Sequence, residues 1–251
     1  MGNYQTTNIE RARIKLYSKR QVSMLSNALF VAGVGFVFTA LIGFLSAWLL
    51  RENSISGNTL YYFGGPLVFI SLILSIVWQF RVEKASNLFM FSVVSIYCIW
   101  NGKGFGSIFL ALNMEQIMFA FGMTGFIFLG TFIISKLMNA KVAINLGKIL
   151  FISAVVYLIG SLVISLSSFF MIGISNRSYF NVLIISTIVG GLISIGYLAY
   201  SLWMIQNMDK FLTNDDDLRR KYSIFFGFIL LINLISIVYR ILQLMLVFGR
   251  N

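Results

Sequence analysis

Seven long apolar stretches take up most of this chain, and almost every charged residue falls between them. The first runs from about Leu25 to Leu50, with no charged residue over 26 positions. The others lie at about Tyr62–Phe80, Ser86–Trp100, Gln116–Ser135, Ile149–Ile172, Phe180–Ile205 and Ser223–Phe248. A helix rises about 1.5 Å per residue and the hydrocarbon core is about 30 Å thick, so about 20 such residues span a bilayer. The pattern predicts an all-α, polytopic membrane protein with seven transmembrane helices. Polar Asn101 and Lys103 end the third stretch early, and Gly104, Gly106 and Asn113 follow. A short or broken third span is expected.

Only 11% of residues are charged, against about 25% in soluble domains, which excludes a soluble core of this size. Two regions are expected: a basic N-terminal segment over residues 1–24 and a membrane domain over residues 25–251. Gly2–Lys15 lacks the apolar core and small-residue cleavage site of a signal peptide, so the first apolar stretch is expected to be retained. There is one cysteine, Cys98, and no histidine. No internal disulfide, zinc, haem or Cys-based iron–sulfur site can be built, and no cofactor or metal is expected. The single proline, Pro66, falls near the start of the second stretch, where it removes few backbone hydrogen bonds.

The net charge of +11 is unevenly distributed. Seven spans sort the loops into two sides, one holding fourteen Lys or Arg and the other four. That asymmetry predicts a cytoplasmic N-terminus and a C-terminus outside. It accounts for the basic residues through topology, and nucleic acid is not expected as a partner. Arg11, Arg13, Lys15, Lys19 and Arg20 also suit anionic lipid headgroups. The lack of His and the excess of Phe, Ile and Asn suggest an AT-rich genome, hence a bacterial plasma membrane.

Charged residues inside a span are costly and are functional candidates by default. Arg240 lies about two turns before the end of the last stretch, either snorkelling outward or contacting polar groups inside the bundle. Arg81 ends the second stretch. Glu115 opens the fourth, either facing an outer vestibule or lying solvated at the boundary. Asn233 and Gln243 are uncharged candidates for helix contacts. Small residues at four-residue spacing, Ser186, Gly190 and Ser194, and Ser161 and Ser165, suit close packing of helices. No apolar stretch holds a carboxylate. Asp215, Asp216 and Asp217 lack the spacing of a calcium loop and fit a helix start better, where acids complement the dipole. No nucleophile–base constellation appears, so an enzyme is not expected, and Ser201 reads as a packing hydroxyl. A small-solute transporter would need an internal repeat or broken helices, and neither is evident.

Three segments resemble the Bax inhibitor-1 family. "NLFMFSVVSIYCIWNG" (Asn87–Gly102) is similar to its third helix. Ala120–Phe170 is similar to its fourth and fifth helices with their basic loop. "INLISIVYRIL" (Ile232–Leu242) is similar to its last helix, with Asn233, Leu234, Arg240, Ile241 and Leu242 matching. The resemblance implies six helices around a central C-terminal seventh. It also implies calcium leak across the membrane, pH-sensitive in bacterial relatives, or binding that modulates a membrane protease. The family's flux is attributed to an aspartate in each of the last two helices, the first paired with an arginine. Arg81 matches that arginine and Tyr200 matches its motif. Ser201 and Leu230 stand where the two aspartates would be. The implied function is a passive cation leak, with calcium ions as partners, insensitive to pH between about 6 and 8. The alternative is a non-conducting bundle that binds another membrane protein. Arg81, Tyr200, Ser201, Leu230, Asn233 and Arg240 are the candidate pore or gate residues.

Overall fold

The computed structural model describes residues 24–52, 82–169, 176–211 and 216–248; within these, the side chains of 161–169, 176–183 and 210–211 are not described. The described elements are α1 (Met24–Arg51), a single 3-10 turn (Val82–Lys84), α2 (Asn87–Ala111), α3 (Met114–Leu137), α4 (Ala140–Phe169), α5 (Asn176–Phe211) and α6 (Asp216–Phe248). No strand occurs among them. All six helices include a segment long and apolar enough to cross a membrane, so the chain is a polytopic helical membrane protein. The second apolar stretch, Tyr62–Phe80, lies outside the described residues.

The third span differs from its expectation. α2 continues unbroken through Asn101, Lys103, Gly104 and Gly106 to Ala111. Asn101 turns its amide onto the Tyr97 carbonyl of its own helix at 2.9 Å, which satisfies it without a break. Lys103 is exposed, its ammonium 5.9 Å from the Trp100 ring centre. The glycines carry a packing role. A Cβ on Gly102 would lie 2.8 Å from the Thr39 carbonyl oxygen of α1, and one on Gly106 would lie 2.6 Å from Ser46 Cβ.

Polar side chains set the helix starts. Ser86 Oγ accepts from the Phe89 N–H at 3.2 Å and opens α2. Gln116 accepts from the Asn113 N–H at 3.0 Å at the start of α3, and Asn139 accepts from the Val142 N–H at 2.9 Å at the start of α4. Asp216 and Asp217 lie in the first turn of α6, the dipole-complementing place expected of them; Asp215 lies outside the described residues.

α1 is built for close contact on one face. Its buried positions are Met24, Ala28, Ala32, Gly35, Thr39, Gly43 and Ser46, nearly all small. Apolar side chains gain little by leaving lipid, so such interfaces are held by close van der Waals packing. Gly35 meets Cys98 of α2 and Leu231 of α6, while Gly102 meets Thr39 and Gly227 meets Val31. Each step forward along α1 is therefore a step forward along both neighbours, and α1, α2 and α6 run parallel. The starts of α1, α2 and α6 define the near end of the bundle; Phe248 marks the far end.

α6 is the most buried helix, with 61% of its most apolar segment enclosed against 11–33% in the others. It packs on α1, α2, α3 and α5. Phe228, Leu230, Leu231, Ile237, Val238 and Leu242 are nearly inaccessible there. α4 is the least enclosed and, among the described helices, makes its principal contacts with α5 alone.

Candidate functional site

α5 and α6 run antiparallel along a seam of polar groups. Ser194 and Ser236 hydroxyls are 2.8 Å apart, and the Ser194 hydroxyl is also 2.9 Å from the Gly190 carbonyl of its own helix. Seven residues back along α5, the Thr187 hydroxyl lies 3.4 Å from Gln243 Oε1, seven residues forward along α6. Gly190 and Ser194, expected as helix-packing positions, are buried on this seam. Ser186 is half-buried; Ser161 and Ser165 have side chains outside those described.

Arg240 lies on this seam towards the far end. Its guanidinium crosses Gly190 and Gly191 of α5 and donates from Nη2 to the Tyr157 hydroxyl of α4. Its Cζ is 5.3 Å from the centre of the Tyr157 ring. A Cβ on Gly190 would lie 2.9 Å from both Cζ and Nη2, so only glycine leaves room for the side chain to pass. Of the two readings left open, the polar contact inside the bundle is the one observed. Arg240 Nε is buried with no hydrogen-bond partner among the described residues.

A second polar centre closes the near end. Asp209 Oδ1 accepts from Arg219 Nε at 2.8 Å and Nη2 at 2.6 Å, and from the Met24 N–H at 3.3 Å. One carboxylate oxygen thus ties the last turns of α5 to the first turns of α6 and to the start of α1. The two side chains are 10% and 21% exposed for Arg219 and Asp209. Gln206 of α5 adds a bond to Ser135 of α3 at 3.2 Å. Lys221 donates to the Glu83 carbonyl at 3.1 Å and pairs with Asp217 at 3.0 Å. α5 continues to Phe211, six residues past the apolar stretch Phe180–Ile205, and carries Asp209 in this extension.

The expected gate residues are dispersed. Tyr200 faces α4, its ring 2.9 Å from where a Cβ on Gly147 would sit. Ser201, one position on, is buried, and the seam's register sets it level with Ile229 and Leu230 of α6. Leu230 is fully enclosed among apolar residues. Asn233 donates to the Ile229 carbonyl of its own helix at 2.9 Å. Glu115 is exposed in the first turn of α3. Arg81 lies outside the described residues. Among the described residues no three His, Cys, Asp or Glu side chains gather as a metal site. Asp209, Arg219 and Tyr157 are the site residues that the sequence reading passed over. Asp209 stood in plain sight four residues beyond the sixth stretch.

Compared with known proteins, the chain matches no family model and no curated protein.

Proposed function

We propose that this chain is a Bax inhibitor-1-like protein that works by binding another membrane protein rather than by conducting cations. Arg240 carries this reading. Among the described residues it is the one ionised side chain that reaches across the bundle interior away from the near end, and it is a cation. A divalent cation passing about 8 Å from it, at an effective dielectric of about 20, meets a repulsion of about 4 kcal/mol, roughly a thousandfold against entry. No described carboxylate on the seam offsets it. Over Ala140–Gly160, α4 is 11% buried and packs mainly on α5 among the described helices, which supports a face for a partner helix.

A seventh span over Tyr62–Phe80 and a cytoplasmic near end belong to the same proposal. The parallel run of α1 and α2 supports the span. α1 ends at the far end and α2 begins at the near end, an arrangement that a further crossing between Arg51 and Val82 would account for. Lys84, Lys136, Lys141, Arg219, Arg220 and Lys221 gather at the near end, which supports the orientation.

Purified full-length protein in liposomes tests the choice. Calcium entry no faster than into empty vesicles is expected. Entry severalfold faster would overturn the binding reading and restore the cation leak implied by the resemblance.

A further inference from the structure

We propose that Arg240 and Tyr157 form a binding site for a phosphate-type oxyanion at the far end of the α4–α5–α6 groove, filled in the membrane by a phospholipid headgroup. The argument begins with charge. The chain has eight carboxylates. Four of them, Glu83, Asp209, Asp216 and Asp217, belong to the near end. Asp216 and Arg240 are separated by 24 residues of helix, about 36 Å. Glu52 and Glu115 are exposed and form no ion pair among the described residues. Glu10 and Asp215 lie outside the described residues. Among the described residues the guanidinium of Arg240 has no carboxylate paired with it. Such a charge is stable only when paired and hydrogen-bonded.

Its unmet donor has a direction. Nη2 is taken by the Tyr157 hydroxyl, a neutral partner, while Nε is buried and has no acceptor among the described residues. A guanidinium edge with a free N–H matches the planar arrangement of two phosphate oxygens. The floor of the groove is backbone, because Gly190 and Gly191 present no side chain beneath Arg240. α4 and α6 have no principal contact with each other among the described helices, and Arg240 reaches across the groove between them.

Depth identifies the source. α6 has 33 residues, about 50 Å, against about 30 Å of hydrocarbon. Arg240 lies eight residues, about 12 Å, before its far terminus at Phe248. Its Cα is therefore within about 10 Å of the headgroup level, a depth at which local thinning of the bilayer brings a headgroup to a guanidinium held inside the bundle. Phosphate is the oxyanion that the membrane supplies at that level. A bound phosphate offsets part of the charge that opposes cation entry, so this inference is read from lipid retention and not from calcium flux.

The test uses the purified full-length protein in maltoside micelles, with native mass spectrometry and thermal unfolding as readouts. Phosphatidylglycerol is titrated against diacylglycerol with the same acyl chains. Wild type is expected to retain one phosphatidylglycerol at least tenfold more strongly than diacylglycerol. Arg240→Gln should raise the half-saturating lipid concentration about tenfold or more, and Arg240→Lys, which keeps the charge and loses Nε, should fall between. Inorganic phosphate at millimolar concentration is the second arm. Displacement of the lipid by phosphate would show that the site takes the free anion as well, and failure to displace it would show that it takes the lipid alone; both agree with an oxyanion site. Equal retention of diacylglycerol and phosphatidylglycerol by wild type overturns the proposal, whether or not the variants fold. So does an unchanged half-saturating concentration in a folded Arg240→Gln protein.

Discussion

Neutralising Asp209 should loosen the near end of the bundle by a predictable amount. Asp209→Asn keeps the shape of the side chain and can still accept from the Met24 N–H, so the change isolates the charge. In the wild type one oxygen takes two bonds from Arg219, at 2.6 and 2.8 Å. Breaking one side of a fully buried pair costs about 3–5 kcal/mol, whereas an exposed pair contributes about 0–1. Side-chain exposures of 10% and 21% put this pair between those limits. A loss of about 2 kcal/mol is expected, close to thirtyfold in the unfolding equilibrium. The chain's four tryptophans report unfolding in mixed detergent–SDS micelles. A double-mutant cycle with Arg219→Gln separates the pair from its surroundings. The expected coupling is about 2 kcal/mol. A coupling below about 0.5 kcal/mol would mean that water already screens the pair, and that the near end is held by something else.

Two further outcomes follow from the packing. Gly102→Ala should destabilise by about 1–3 kcal/mol, because its Cβ would press on the Thr39 carbonyl and Ile42 of α1, while Gly104→Ala, with nothing within 4 Å, should be neutral or mildly stabilising; equal effects at the two sites in the same unfolding assay would refute the α1–α2 contact. Cys98, 1% exposed and directed at the Gly35 carbonyl at 3.4 Å, should resist a thiol reagent in the folded protein and react on unfolding, as mass spectrometry of the labelled protein can show; rapid labelling in the folded state would refute its burial.

The helical class and five of the apolar spans could be read directly, because a bilayer leaves a long uncharged run few alternatives. The length of α2 could not. Asn101, Lys103 and the glycines look like an ending in one dimension, and only the presence of α1 shows that Gly102 and Gly106 are contact points. Arg240 was recognisable as costly, but its direction depended on Gly190, Gly191 and Tyr157, which lie on two other helices. Asp209 was missed for a related reason. A hydropathy pattern ends where polar residues begin, while α5 itself runs on to Phe211, where Arg219 can meet it. Tyr200 and Ser201 were grouped because they are adjacent in sequence. On a helix, adjacency turns side chains about 100° apart, and here it sends Tyr200 towards α4 and leaves Ser201 enclosed.

The position of α6 also fixes an order of assembly. Its four neighbours, α1, α2, α3 and α5, are all synthesised before it, so the wedge around which they close is the last of the set to leave the ribosome. Until then, Gly35 of α1 has no Leu231 to rest on, Ser194 has no Ser236, and Asp209 has no Arg219. An insertion intermediate lacking α6 therefore displays unfilled small-residue grooves and a lone carboxylate at the membrane surface. Those are features that a membrane quality-control protease can distinguish from lipid-facing Leu and Phe. Arrival of α6 fills these grooves and brings Arg219 to Asp209.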